Sequence, residues 1–292
     1  MSNARATRPR LHHLAERVAS ATALDGPAEA VAKTIREAIP RGPVKDTLSG
    51  TWLGHALHPF LTDLPIGTWT SAAVLDVVGG RAGRPAARRL IATGILAAVP
   101  TAASGLNDWA DTTPKSDPVR RVGAVHAVAN VTALALYAAS FAARSRGRHG
   151  RGVAFGFAGI GALTVGGHLG GHLSYAQGVG VDQTAFEAGG DEWTEVLDAA
   201  ALGEGELRHA EVDGRPVVLA RVRGEVHALG DTCAHRGGTL SEGELVGDCV
   251  ECPLHGSRFR LTDGGVERGP SAYPQPVYDV RVEGGRIALR EA

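Results

Sequence analysis

The stretch CAHRGGTLSEGELVGDCVECPLHGS, residues 233–257, decides how the C-terminal third of this chain is read. It carries two donor pairs, Cys233-x-His235 and Cys252-x-x-His255, with sixteen residues between them. Each pair sets one thiol and one imidazole close together on a loop containing Gly or Pro. The pairs mix Cys with His, whereas structural zinc sites usually pair Cys with Cys and His with His at fixed spacings. Working outward, Pro253 lies inside the second pair, Gly256-Ser257 follow it, and Gly269-Pro270-Ser271 come soon after.

This text resembles the Rieske [2Fe–2S] family over roughly the last hundred residues. The resemblance implies that Cys233 and Cys252 hold one iron and that His235 and His255 hold the other. It also implies that the loop at Gly269-Pro270-Ser271 covers the cluster and that Ser257 turns its hydroxyl toward a sulfide. High-potential members carry two further Cys, where this chain has Gly238 and Leu254. Their nearby Tyr is Phe259 here. Fewer hydrogen bonds to the cluster imply a low or intermediate potential, as in ferredoxin-type members. The third Cys, Cys249 in LVGDCVECP, reads as a buried thiol on a strand.

On either side of this stretch, from Trp193 to the end, the chain reads as all-β. WTEVLD, GELRHAEV, RPVVLARV and EVHALG are short runs separated by Gly, and VYDVRVEGGRIALRE closes the pattern. Such spacing predicts a small sandwich or barrel, with the imidazoles of two loop tips exposed at one end.

The chain has 292 residues and a formal charge of −1, so two domains are expected and nucleic-acid binding is not. We expect a multi-domain protein, with an all-α four-helix transmembrane bundle ahead of the all-β cluster sandwich. Its parts are an N-terminal segment at 1–50, a membrane domain at 51–175, a linker at 176–192 and the cluster domain at 193–292. Residues 1–10 read as disordered. Residues 11–39 read as two amphipathic helices broken at Asp25-Gly26-Pro27, with Leu11, Leu14 and Val18 sharing one face and Ala28, Ala32 and Ile35 another.

Four apolar stretches follow, near 62–80, 87–107, 119–143 and 152–173. The last three are long enough to cross about 30 Å of hydrocarbon, while the first is short and carries Pro65 and Asp76. Arg81, Arg84, Arg88 and Arg89 lie between the first two, and Arg144, Arg146, Arg148 and Arg151 between the last two. The positive-inside rule puts both Arg groups in the cytoplasm and the cluster domain outside, at the cell membrane. The eight Lys and Arg of the N-terminal segment argue mildly against this.

Polar residues gather at one membrane side: His55, His58 and Asp63, then Asn107 and Asp108, His126 and Asn130, and finally His168 and His172. HALHPFLTDLPIG and GGHLGGHLSYAQGVGV resemble a family of uncharacterised bacterial membrane domains, over roughly residues 51–182. That resemblance carries no activity. The imidazoles fit a haem b, with His168 or His172 opposite His58 or His126; a quinone or quinol site; or hydrogen bonds that only hold the helices together. The expected function is membrane-anchored one-electron transfer. The cluster exchanges one electron with a haem or quinol site in the membrane half or with a soluble redox partner protein. The alternatives are a ferredoxin-type electron donor to a separate oxygenase, and a redox-sensing module with lipid contact only as an anchor. Oligomeric state is not legible.

Overall fold

In the computed structural model, residues 10–112, 116–187 and 192–292 are described. The expected disorder at 1–10 falls almost wholly outside them. The chain forms two compact units. One joins the residues up to Ala38 with His58–Val179, and the other joins Ile39–Leu57 with Gly180–Ala292. The segment Ile39–Leu57, ascribed by sequence to the N-terminal region and the start of the membrane domain, is thus grouped with the β unit.

Seven α-helices are present among the described residues, rather than the four of a simple bundle. They are α1 (Arg10–Ala19), α2 (Asp25–Ala38), α3 (Pro43–Ser49), α4 (Leu57–Val78), α5 (Gly80–Thr112), α6 (Asp117–Ser145) and α7 (His149–Gly171). The α1–α2 break falls just before Asp25, because Pro27 sits in the first turn of α2, where a missing N–H costs nothing. Ala28 and Ala32 are buried as expected, but Leu14 is exposed and Ala15 is buried in its place. Arg81, Arg84, Arg88 and Arg89, expected in a loop, lie within α5, because Arg and Ala are strong helix formers.

Among the described residues, three helices are long and apolar enough to cross a membrane: α5, α6, and α7 with its continuation to Ala176. α4 falls short of the expected fourth span in apolarity, because Asp63 and Asp76 interrupt it. Trp69, Ala72, Ala87, Ile91 and Tyr137 form one buried cluster, in which Trp69 stacks on Tyr137 with ring centres 4.1 Å apart. Val77, Val78, Leu96, Val99, Val128 and Val131 point outward, as lipid-facing residues do. Inside, the Arg144 guanidinium donates to Asp76 at 2.8 Å, and both side chains are buried. At the other end, α2 is tied to α6. Asp25 accepts from Arg121 Nε at 2.7 Å and from Arg120 at 3.0 Å.

The β unit contains β1 (Thr194–Asp198), β2 (Leu207–Val212), β3 (Arg215–Val222), β4 (Glu225–Gly230), β5 (Glu244–Val246), β6 (Cys249–Glu251), β7 (Arg258–Arg260), β8 (Val266–Arg268), β9 (Val277–Glu283) and β10 (Arg286–Glu291). Six strands form an antiparallel sheet in the order β1-β10-β9-β4-β3-β2, and four form a second sheet, β5-β6-β7-β8. β3 is buried on both faces. Val217 and Leu219 join Ile287 and Leu289, while Val218 and Ala220 join Val250 and Phe259 of the smaller sheet. That explains why its sequence is a continuous apolar run rather than an alternation. The expected linker, 176–192, starts at the end of one ordered turn and is tied down part-way along its length. His172–Ala176 form a π-helical turn, and Gln183 N donates to Ala234 O at 3.0 Å. The smaller sheet and the end of β4 carry the two loops of interest.

Candidate metal centre and the imidazoles of the helical unit

The first loop leaves β4 at Gly230, and the second joins β6 to β7. Each closes on itself in the same way. In the first, Cys233 N donates to Gly238 O and Gly237 N to Cys233 O, both at 2.8 Å. In the second, Cys252 N donates to Ser257 O at 2.8 Å and Gly256 N to Cys252 O at 3.0 Å. Gly256 has φ +79°, a conformation glycine adopts without steric cost. The loops meet where Gly238 faces Cys252: a Cβ there would lie 2.9 Å from Sγ.

This meeting gathers all four predicted donors. Cys233 and Cys252 are buried and in mutual hydrogen-bond contact, which together with burial pushes the Cys233 thiol well up. A bound cation reverses that preference, because the thiolate is the ligand form. The His235 and His255 rings are 5.0 Å apart and nearly perpendicular. His235 Nδ1 is buried and has no hydrogen-bond partner. Burial, then Arg236, His255 and Lys45, hold the His235 imidazole well below its usual pKa and therefore neutral, as a metal ligand must be. Two thiols and two imidazoles, with a buried ring nitrogen left for a metal, fit a cluster that takes two sulfur and two nitrogen ligands.

Ser257 is buried and accepts from Ser271 N at 2.9 Å, which leaves its own proton to donate. Phe259 is fully buried, and Cys249 lies buried on β6. The imidazoles, however, are not exposed at the tip. His255 is only 9% exposed and His235 is half-buried.

Sequence reading missed the residues that pin these loops. Gln275 accepts from Ala234 N at 2.7 Å and donates to Gly230 O and Thr232 O, each at 2.8 Å. Asp231 accepts from Ser241 N at 2.6 Å and from its hydroxyl at 2.8 Å. Glu251, beside Cys252, pairs with Arg258 at 2.7 Å, Arg268 at 3.0 Å and Arg41 at 3.2 Å. Arg268 also donates to Gly256 O. Only the place of Asp231 next to Cys233-x-His235 hinted at such a role; nothing in the sequence marked Gln275.

In the helical unit, the ring contact is between His58 and His126, whose centres are 6.4 Å apart and whose planes are nearly perpendicular. Their expected partners, His168 and His172, are not in this contact. His58 Nδ1 lies 2.9 Å from Thr101 O, and His126 Nδ1 lies 2.8 Å from Gly166 O. A Cβ at Gly105 would meet the His58 ring at 2.6 Å, so α5 closes directly on the imidazole. Asn130 Nδ2 is 3.1 Å from His126 Nε2. His168 Nε2 is buried without a hydrogen-bond partner. His55 belongs to the other unit, where its Nδ1 lies 3.0 Å from Ala56 O.

Residues 192–279 match the model of the Rieske [2Fe-2S] domain, and residues 54–183 match that of a predicted membrane protein, DUF2231. Ferredoxin CarAc of Metapseudomonas resinovorans is 35% identical over 96 residues, 32% of this chain and 90% of that protein. The 3-phenylpropionate/cinnamic acid dioxygenase ferredoxin subunit of Escherichia coli O9:H4 (strain HS) is 42% identical over 92 residues, 31% of this chain and 85% of its own length. Among solved structures, the ferredoxin of carbazole 1,9a-dioxygenase from Nocardioides aromaticivorans IC177 shares 29% identity. It covers 34% of this chain and 98% of that one, with a TM-score of 0.33.

Proposed function

This chain belongs to the Rieske [2Fe–2S] family through residues 192–279, and we propose that it is a membrane-held carrier of single electrons. Cys233 and Cys252 hold one iron and His235 and His255 the other. The observation that carries this is that the two loops meet with Cys233 against Cys252 and His235 against His255, with His235 Nδ1 buried and without a hydrogen-bond partner. When bound, the cluster supplies one-electron chemistry. The chain's own residues exclude water, fix the imidazoles and offer the Ser257 proton. The test is the EPR spectrum of detergent-extracted protein. Rieske-type g-values are expected in the full chain and absent in Cys233→Ser and His255→Ala. Colourless protein holding zinc alone overturns the reading.

We favour a ferredoxin-type role, delivering electrons to a partner protein such as a separate oxygenase. Support comes from similarity to the ferredoxin components of dioxygenase systems over nearly their whole length. The absence of Cys at Gly238 and Leu254, and of a hydroxyl at Phe259, agrees with a modest potential.

A second reading has a specific observation behind it. The paired imidazoles His58 and His126 each turn Nδ1 to a backbone carbonyl; that leaves Nε2 of His58 to bind an iron or a quinol oxygen, while Nε2 of His126 must first give up Asn130 Nδ2 at 3.1 Å. On this reading the helical unit holds a haem b or a quinol that exchanges electrons with the cluster; His168 and His172 stand as reserve ligands. A pyridine haemochrome assay with no b-type signal removes haem. A redox titration unmoved by menaquinol removes the quinol, and the imidazoles then only brace the bundle.

We further propose that the β unit lies outside the cytoplasm. The α6–α7 connection carries Arg146 and Arg148, with Arg151 in the first turn of α7; Arg144, expected in this loop, lies inside α6 instead. Ile39–Leu57 shares the β unit, whereas α5 starts among Arg81, Arg84, Arg88 and Arg89. Connecting the two requires α4 to cross as well, despite its Asp63 and Asp76.

A further inference from the structure

The Arg-rich end of the helical unit has a cavity that neither the cluster nor the imidazoles use. α6 and α7 are joined there only by Arg146-Gly147-Arg148, and Gly147 has φ +74°, which lets the chain reverse this sharply. The two helices are pinned along a seam of small residues. The Ser140 hydroxyl donates to Gly152 O at 2.5 Å, and a Cβ at Gly156 would lie 3.6 Å from Ser140 Oγ. Beside this seam lies a cavity of about 620 Å³. Part of its lining is apolar, with Ala139, Ala142 and Phe155, and part is basic, with Arg146, Arg148 and Arg151. Helical spacing orders the two parts by depth. The arginines stand at the ends of the helices, and the apolar residues lie about one turn or more further in.

The basic part carries no counter-charge. No Asp or Glu occurs between Asp117 and Asp182. Asp76 is taken by Arg144, which turns inward and donates to it at 2.8 Å. Arg146 bonds one of its nitrogens to Ala142 O at 3.2 Å, and among the described residues none of the three cavity arginines pairs with an acid. All three are exposed. Arg148 is also the N-cap of α7, so the positive end of a 23-residue helix adds to the same field. Guanidinium groups present forked N–H donors that match the oxygens of a phosphate. An orientation signal alone needs the charges but not the hollow beneath them. Alanine at 139 and 142 keeps that hollow open, where larger apolar side chains would fill it.

We propose that this cavity is a binding site for an anionic phospholipid. Its phosphate sits on Arg146, Arg148 and Arg151, and the start of an acyl chain runs along Ala139, Ala142 and Phe155. Basic pockets between membrane helices suit such head groups. Inorganic phosphate shares the charged half of this chemistry; the apolar half selects the lipid. The inference rests on the helical unit spanning a membrane, not on the cluster, and it holds for either orientation of the chain.

The experiment is calorimetric titration of the full chain in neutral detergent. The probe is dioctanoyl phosphatidylglycerol, compared with dioctanoyl phosphatidylcholine and with inorganic phosphate. Phosphatidylglycerol is expected to bind at least about tenfold more tightly than either. R146Q/R148Q/R151Q is expected to lose at least about tenfold of that affinity, while R81Q/R84Q, at the same end but outside the cavity lining, stays within about twofold of the parent. Ala142→Leu keeps every charge and fills the apolar half, so it is expected to weaken the lipid about fivefold. Equal affinity for phosphatidylcholine overturns the inference, as does an equal loss in R81Q/R84Q and the triple variant. Inorganic phosphate binding as tightly as the lipid also overturns it. Should the triple variant fail to fold, Ala142→Leu decides, and parent-like affinity there overturns the inference. Recovery of the parent in the aqueous fraction after lysis without detergent defeats the membrane reading itself, a result distinct from a cavity that does not discriminate.

Discussion

Gln275 is the side chain on which the first ligand loop depends. Its amide satisfies one buried N–H and two carbonyls, on Ala234, Gly230 and Thr232. Truncation leaves all three unpaired in a dry site, each unsatisfied group costing about 1–3 kcal/mol. Gln275→Ala is therefore expected to lower stability by about 3 kcal/mol and to release cluster iron at lower temperature; thermal unfolding followed at the cluster absorbance checks it. Ser257 acts differently. Its oxygen accepts from Ser271 N, so its proton is available to the cluster. Ser257→Ala is expected to lower the potential with the g-values retained, and an unchanged potential would show that the proton points elsewhere.

Asp25 shows how a residue acts through an element. The Arg121 and Arg120 guanidinium groups that bond it hold its carboxyl at about 2, below the ordinary 3.8. A depressed native pKa means the contribution is complete above the unfolded value and is lost as pH falls through about 2. Amide protection in α1 and α2 is expected to hold at pH 5 and to fall between pH 4 and pH 2. In Asp25→Asn it should be lower at neutral pH and show no such fall. Inside the bundle, Asp76 on α4 and Arg144 on α6 form a buried pair. Asp76→Asn leaves the guanidinium buried without its counter-charge, and a loss of about 3–5 kcal/mol in detergent is expected from thermal unfolding.

At the scale of the whole molecule, two units share one chain that crosses between them more than once. Because Ile39–Leu57 is grouped with the β unit, the proposed orientation requires α4 to return the chain through the membrane to the Arg-rich start of α5. Alkaline phosphatase fused after Ala292 is expected to be active; inactivity there, with an active fusion in the α6–α7 connection, reverses the orientation. Among the described residues three helices qualify as spans by composition, and the proposed orientation adds a fourth crossing through α4. The polar cost of Asp76 in α4 is met by Arg144, a partner nearly seventy residues away.

How much of this was legible in advance follows from what is local. The spacing of Cys233, His235, Cys252 and His255, the Gly and Pro around them, and the apolar runs of α5 to α7 are short-range signals. They pointed to a β unit, to four candidate donors within it and to a helical unit without reference to anything distant. The meeting of His58 with His126, the clamp by Gln275 and the placing of Arg41 at the second ligand loop depend on contacts between residues far apart in sequence. A linear pattern of apolar and polar residues records which face of an element is buried, but not what buries it. Only the tertiary structure supplies that second fact.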